Sequence, residues 1–204
     1  MFYILLKIII LPIIKLIWVG KVEGIENIPK KGGFILASNH ESYFDFITLY
    51  AVVPRRIYFL AGEVFFQKKQ WSWLMKLTKQ IKVDRNSEDK SLSINEALKH
   101  LRMGHLIGIF PEGTRSSDGK LQKAYNGAVK MSLKASVPII PIGIIGTLEI
   151  MSRHDRFPKF KKCVINFGKP IVYKKSDSYE EKYTNLTKDL MVKIGNLCGE
   201  IYNY

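Results

Sequence analysis

Apolar residues in this chain fall into short continuous runs, separated by stretches in which they recur at helical spacing. Runs of strand length cover residues 33–38, 56–61, 81–84, 106–110, 137–145 and 163–167, with a shorter one at 21–24. Residues 46–53, 64–80, 87–103, 126–135 and 177–202 read as helices. Leu92, Ala97, Leu98 and Leu101 are expected on one side of the third helix. Continuous apolar strands alternating with helices predict an α/β fold, a largely parallel mixed sheet covered by helices on both faces. Pro138 and Pro141 call for an edge position or irregular pairing in the 137–145 run, because proline donates nothing to a ladder.

The first nineteen residues stand apart. Residues 2–19 are apolar except for Lys7, Pro12 and Lys15. Two lysines inside the run disfavour a spanning helix, and no small-residue cleavage site follows it. The lysines lie about 80° apart around a helix and can share one polar edge. An interfacial helix with snorkelling lysines fits best, a buried core helix being the alternative. Residues 1–19 therefore read as a membrane-anchoring helix and 20–204 as one domain. Phe2, Leu5, Ile9, Ile13 and Trp18 are the membrane-facing candidates.

Composition supports that division. At 204 residues and 47% hydrophobic content the chain can bury a proper core. Its net charge, 32 − 18 = +14, favours nucleic acid, an anionic bilayer or an acidic carrier protein as partner. A second aromatic and basic cluster, with Phe65, Phe66, Trp71 and Trp73 among Lys68, Lys69, Lys76 and Lys79, suits a bilayer interface or a core helix with a solvated lysine face. Nucleic acid is set aside, because an anionic membrane already accounts for the basicity. Cys163 and Cys198 match no zinc or redox spacing and read as reduced thiols, which suits the cytoplasmic face of the cell membrane.

Two segments carry chemistry. His40 and Asp45 are five apart, a spacing that works if the histidine lies in a turn and the aspartate in the first turn of the helix it enters. Histidine is the natural general base near neutral pH, and a carboxylate on its other nitrogen fixes the tautomer. The segment Phe110-Pro111-Glu112-Gly113-Thr114-Arg115-Ser116 offers backbone donors and an arginine suited to phosphate oxygens. Glu112 can orient that guanidinium or meet a substrate hydroxyl. Arg85, after another strand, is a second phosphate candidate. His100, His105 and His154 read as structural, the first two as solvated around a helix end. Both segments begin where a strand ends, so they can converge on one site. The combination points to chemistry on the hydroxyl of a small phosphorylated molecule.

Asn39-His40 with Asp45, then Arg85, then residues 110–116, then Val137-Pro138-Ile139-Ile140-Pro141, occur in that order. They resemble the glycerolipid acyltransferase family, and most closely its bacterial lysophosphatidate acyltransferases, over residues 22–147. The resemblance implies transfer of a fatty acyl group to the sn-2 hydroxyl of 1-acyl-glycerol-3-phosphate, giving phosphatidate. Acyl-CoA or acyl-carrier protein would be the co-substrate, with no bound cofactor and no metal. It also implies His40 as general base, Asp45 as its partner, and Arg85, Glu112, Gly113, Thr114 and Arg115 as residues that bind or shape the glycerol-phosphate site. Glycerol-3-phosphate or another lysophospholipid is the alternative acceptor. A non-catalytic protein binding anionic lipid is the alternative of another class, against which the His40–Asp45 pair argues.

Overall fold

The computed structural model describes residues 6–84, 91–174 and 180–204. Among them, strands β1 (Val19–Glu23), β2 (Phe34–Ser38), β3 (Ile57–Gly62), β4 (Ile81–Val83), β5 (Leu106–Ile109), β6 (Ile139–Ile145) and β7 (Cys163–Phe167) form one sheet in the order β1-β7-β6-β2-β5-β3-β4. The five strands from β6 to β4 are parallel, and β7 with β1 runs against them. This is the mixed, mostly parallel sheet that the apolar runs predict. The helices are α1 (Leu11–Trp18), α2 (Phe44–Val52), α3 (Val64–Gln67), α4 (Lys69–Leu77), α5 (Ser91–Arg102), α6 (Gly127–Ala135), α7 (Thr147–Ile150) and α8 (Glu180–Cys198).

Alternating strand residues feed two cores, as strand pleating requires. Ile35, Ala37, Ile107 and Ile139 pack with α5, α6 and α8, whereas Phe34, Leu36, Leu106 and Ile140 pack with α2 and Val19. Both β2 and β5 are covered on each face, hence their unbroken apolar composition.

Several expectations are corrected in detail. Leu92 is exposed, because nine residues separate it from Leu101, two and a half turns that put the two on opposite sides of α5. The helix expected over 64–80 is two helices, parted where Lys68 is extended. His100 and His105 are half-buried rather than solvated. Their Nδ1 atoms lie 2.9 Å apart, and both rings pack on Tyr58. The proline-bearing strand β6 is interior, so its irregularity lies in the pairing. The Pro141 carbonyl accepts from the Gly168 N–H as β7 ends, and Ile139 pairs with Ile171 beyond it. The missing proline N–H thus falls where the neighbouring chain detours.

The N-terminal segment packs one face on the domain and exposes the other. A π-helical turn, Leu6–Ile10, leads into α1, which packs on α2 and runs directly into β1. Leu11 is buried and Trp18 meets Phe44 edge-on at 5.1 Å, while Ile8, Ile9, Ile13 and Leu16 face outward. Among the described residues no helix is long and apolar enough to cross a membrane.

Candidate active site

His40 follows β2 in the turn before α2, and Asp45 lies in the first turn of α2, as the spacing of five requires. Asp45 is fully buried. Its Oδ2 lies 2.7 Å from His40 Nδ1 and accepts the backbone N–H groups of Glu41 at 2.7 Å and Ser42 at 2.9 Å. Its Oδ1 accepts the Thr147 hydroxyl. Four donors on one carboxylate fix its orientation. The Nδ1–H tautomer follows, and Nε2 is left for the cavity that His40 lines. The imidazole also stacks on Phe110, centroids 3.9 Å apart.

Neighbouring strands bring the second segment to this histidine. β2 and β5 are adjacent and parallel, so the loop after β5 emerges beside the loop after β2. Ser116 donates its backbone N–H to the His40 carbonyl at 2.7 Å. Glu112, almost fully buried, accepts the His40 N–H at 2.9 Å on one oxygen and the Gln122 N–H at 2.8 Å on the other. Burial pushes its carboxyl up to about 7, against the pull of those two N–H donors. Glu112 therefore shapes the site by clamping two loops, and both its oxygens are engaged away from Arg115. Gly113 adopts φ +70°, and a Cβ there would sit 3.1 Å from the Tyr125 ring, so a larger residue would be strained.

Arg115 lies over the Tyr43 ring, its Cζ 3.8 Å from the centroid, with Nη2 donating to the Tyr43 hydroxyl at 3.2 Å. Its Nη1 is buried and makes no hydrogen bond among the described residues. A half-satisfied guanidinium held by a ring is an open seat for an anion. Thr114, Arg115, Tyr43 and Arg153 line the same cavity as His40. The cavity holds about 450 Å³ and is mostly apolar beyond them, walled by Ile10, Leu11 and Ile14 from the N-terminus and by Phe46, Phe59, Val64 and Phe65, with Thr78 and Gln80 as further polar lining. An imidazole, a guanidinium and a largely apolar chamber meet in one cavity.

A model of the Acyltransferase family matches residues 20–145. The chain belongs to that family. Among its relatives, the 1-acyl-sn-glycerol-3-phosphate acyltransferase of Bacillus subtilis is 34% identical over 74% of this chain and 73% of its own length. The protein of that name from Borreliella burgdorferi is 29% identical over 84% of this chain and 70% of its own. The Brassica napus chloroplast protein BAT2, with the same activity in its name, is 28% identical, but only 46% of its length is matched. Among solved structures, the 1-acyl-sn-glycerophosphate (LPA) acyltransferase PlsC from Thermotoga maritima superposes with a TM-score of 0.74, over 96% of this chain and 82% of that one, at 24% identity. That likeness establishes the Acyltransferase fold.

Within this family frame, His40, Asp45, Glu112, Gly113, Thr114 and Arg115 come together as the motifs required. Phe2, Leu5 and Arg85 lie outside the described residues, as does the side chain of Trp71. Ile9, Ile13 and Trp73 are exposed, Phe66 is half-buried, and Phe65 lines the cavity. Trp18 is half-buried, its indole N–H donated to the Lys159 carbonyl at 3.1 Å. Sequence reasoning assigned no role to Thr147, Tyr43 or Arg153, nor to Asn39, which it read only as part of the His40 motif. Asn39 grips the backbone of Ile144 by both amide atoms, at 2.8 Å each, and so splices the turn that carries His40 to β6.

Proposed function

We propose that this protein transfers a fatty acyl group from a thioester donor to the sn-2 hydroxyl of 1-acyl-glycerol-3-phosphate, giving phosphatidate, with His40 as the general base. One arrangement carries the reading: a carboxylate-held His40 and the Arg115 guanidinium, whose Nη1 makes no hydrogen bond among the described residues, line one mostly apolar cavity. Arg115 seats the acceptor phosphate, with Arg85 as a second ligand, and the cavity takes an acyl chain. The sn-2 hydroxyl donates to His40 Nε2. As its oxygen attacks the thioester carbonyl, the proton passes to Nε2, and Asp45 stabilises the imidazolium. Collapse of the tetrahedral adduct breaks the carbon–sulfur bond, and the imidazolium returns its proton to the departing thiolate. Acyl-CoA and acyl-carrier protein both fit this scheme, and neither a metal nor a bound cofactor enters it.

Membrane association completes the proposal, because both the acceptor and the product are lipids. Exposed Ile9 in the π-helical turn, Ile13 and Leu16 on α1, and the +14 charge suit an anionic bilayer at the cytoplasmic face. The test is a panel of acceptors, including lysophosphatidate, glycerol-3-phosphate and neutral lysolipids, offered with both donors and read by mass spectrometry. Lysophosphatidate should be acylated in preference. A folded His40→Ala protein should lose on the order of 10²–10⁴-fold in turnover. Near-native turnover in that variant would refute the mechanism.

A further inference from the structure

Beside the site, residues 151–162 form a loop between α7 and β7 that the proposed chemistry does not use. It carries Arg153, Arg156, Lys159, Lys161 and Lys162 against the single acid Asp155. Phe157 is 71% exposed and Phe160 85%. Two phenylalanines left in water cost free energy unless another surface covers them. The loop nevertheless has a definite shape. Asp155 accepts the Ser152 N–H at 2.8 Å and pairs with Lys159 at 3.1 Å, and the Lys159 N–H donates to Ile150 at 2.8 Å. Phe160 stacks on Trp18 at the end of α1, and Arg156 lies over the Phe157 ring. The other end of the loop is rooted in the catalytic turn. Ser42 donates its hydroxyl to the Met151 carbonyl at 2.6 Å, and the Arg153 guanidinium reaches the Arg115 carbonyl.

We propose that residues 151–162 are a second membrane-docking element, in which Phe157 and Phe160 enter the interface of an anionic bilayer and the surrounding cations engage its headgroups. Aromatic rings flanked by arginine and lysine are what a charged bilayer surface accommodates. An acidic carrier protein would answer the charge but offers no comparable layer for two protruding rings. With Arg153 at the mouth of the cavity, docking of this loop sets the opening against the bilayer, where a lysolipid need not leave the membrane to reach His40. The inference rests on the membrane reading above and adds to it a surface separate from α1.

A fluorophore that brightens and shifts to the blue in apolar surroundings, attached at Phe157→Cys, reports the docking directly. Cys163 and Cys198 are buried, with thiols pushed up to about 11, so labelling is confined to the new site. The label should shift on vesicles of equal parts phosphatidylglycerol and phosphatidylcholine, and far less on phosphatidylcholine alone. The double variant Phe157→Ser/Phe160→Ser should lose on the order of tenfold in affinity for the anionic vesicles. It should lose turnover on embedded lysolipid but not on a short-chain, water-soluble acceptor. Protein that floats with vesicles while its label stays aqueous overturns the loop proposal alone. A label that responds to acyl-carrier protein but not to vesicles also overturns it and assigns the loop to the donor. Failure to float at all sinks both this proposal and the membrane reading, while acylation of a soluble acceptor would leave the catalytic reading standing.

Discussion

The Thr147 hydroxyl donates to Oδ1 of Asp45, the oxygen that His40 does not use. Thr147 is fully buried just after β6, 102 residues from its partner, and completes a line of three side chains running Thr147, Asp45, His40. Thr147→Val keeps the shape and removes the donor, which leaves a buried charged oxygen under-satisfied. The expected cost is about tenfold in kcat, with KM for both substrates little changed and Thr147→Ser restoring activity. Steady-state kinetics on the three proteins checks this. Unchanged kcat in Thr147→Val, or failure of Thr147→Ser to recover, would reduce the threonine to packing.

Arg115 should govern the acceptor alone. Its guanidinium is oriented by Tyr43, and among the described residues its Nη1 makes no hydrogen bond. Arg115→Ala should raise KM for lysophosphatidate roughly 10- to 100-fold, the scale of a charge-assisted contact, with little effect on donor KM. Tyr43→Phe should be milder, since the ring face survives and only the hydroxyl contact at 3.2 Å is lost. Equal rises in both KM values would mean that Arg115 holds something other than the acceptor phosphate.

Much of this site was legible beforehand for a physical reason. Adjacent parallel strands deliver their C-terminal loops to the same edge of the sheet, so two motifs separated by some seventy residues had to meet if β2 and β5 were neighbours. The His40–Asp45 geometry could be read because five residues span one turn and a helix start. Thr147 left no such trace, because its meeting with Asp45 depends on how β6 lies beside β2. The partners of Glu112 were illegible for a related reason. Chain neighbours suggested Arg115, whereas the fold brings the N–H groups of His40 and Gln122 to its oxygens. Leu92 failed on helical phase, and the proline strand was legible in its irregularity but not in its position.

Glu41 should make stability depend on pH. It is buried against Asp45, with Glu149 and Glu112 adding repulsion and only the Asn39 amide opposing, and its carboxyl rises from 4.5 to about 8. Between those values the folded protein holds a proton that the unfolded chain has released. Stability from Glu41 is therefore full below about pH 4.5 and is lost as pH rises through about 8, at up to about 1.4 kcal/mol per pH unit. Glu41→Gln mimics the protonated form and keeps an acceptor for Asn39. The variant should match the parent in Tm near pH 5 and exceed it above about pH 8. Glu112 adds a slope of the same sign below about 7, and His100, held below its usual value by burial, one of the opposite sign below about 6.5, and both remain in the variant. Parallel Tm-against-pH curves for the two proteins would show that Glu41 is ionised in the fold.

The two faces of α1 should be separable by mutation. Leu11 and Ile14, with Ile10 just before them, wall the cavity, while Ile9, Ile13 and Leu16 point outward. Outward residues touch no core, so Ile9→Gln, Ile13→Gln and Leu16→Gln together should leave the fold and the turnover of a water-soluble acceptor intact. They remove the apolar part of membrane binding, which salt does not weaken. What remains is charge attraction, screened over about 8 Å at physiological ionic strength. The triple variant should float with anionic vesicles at low salt and be stripped by high salt, whereas the parent is only partly released. Ile14→Phe should do the reverse: flotation unchanged, and a shift toward shorter acyl chains as the chamber narrows. Flotation at two salt concentrations, paired with a donor series of graded chain length, crosses the two effects. If Ile14→Phe alters flotation and the outward triple alters chain preference, the helix does not divide its work between faces. Shared effects in both variants would instead mean that α1 shifts on the domain as one body when it meets the bilayer.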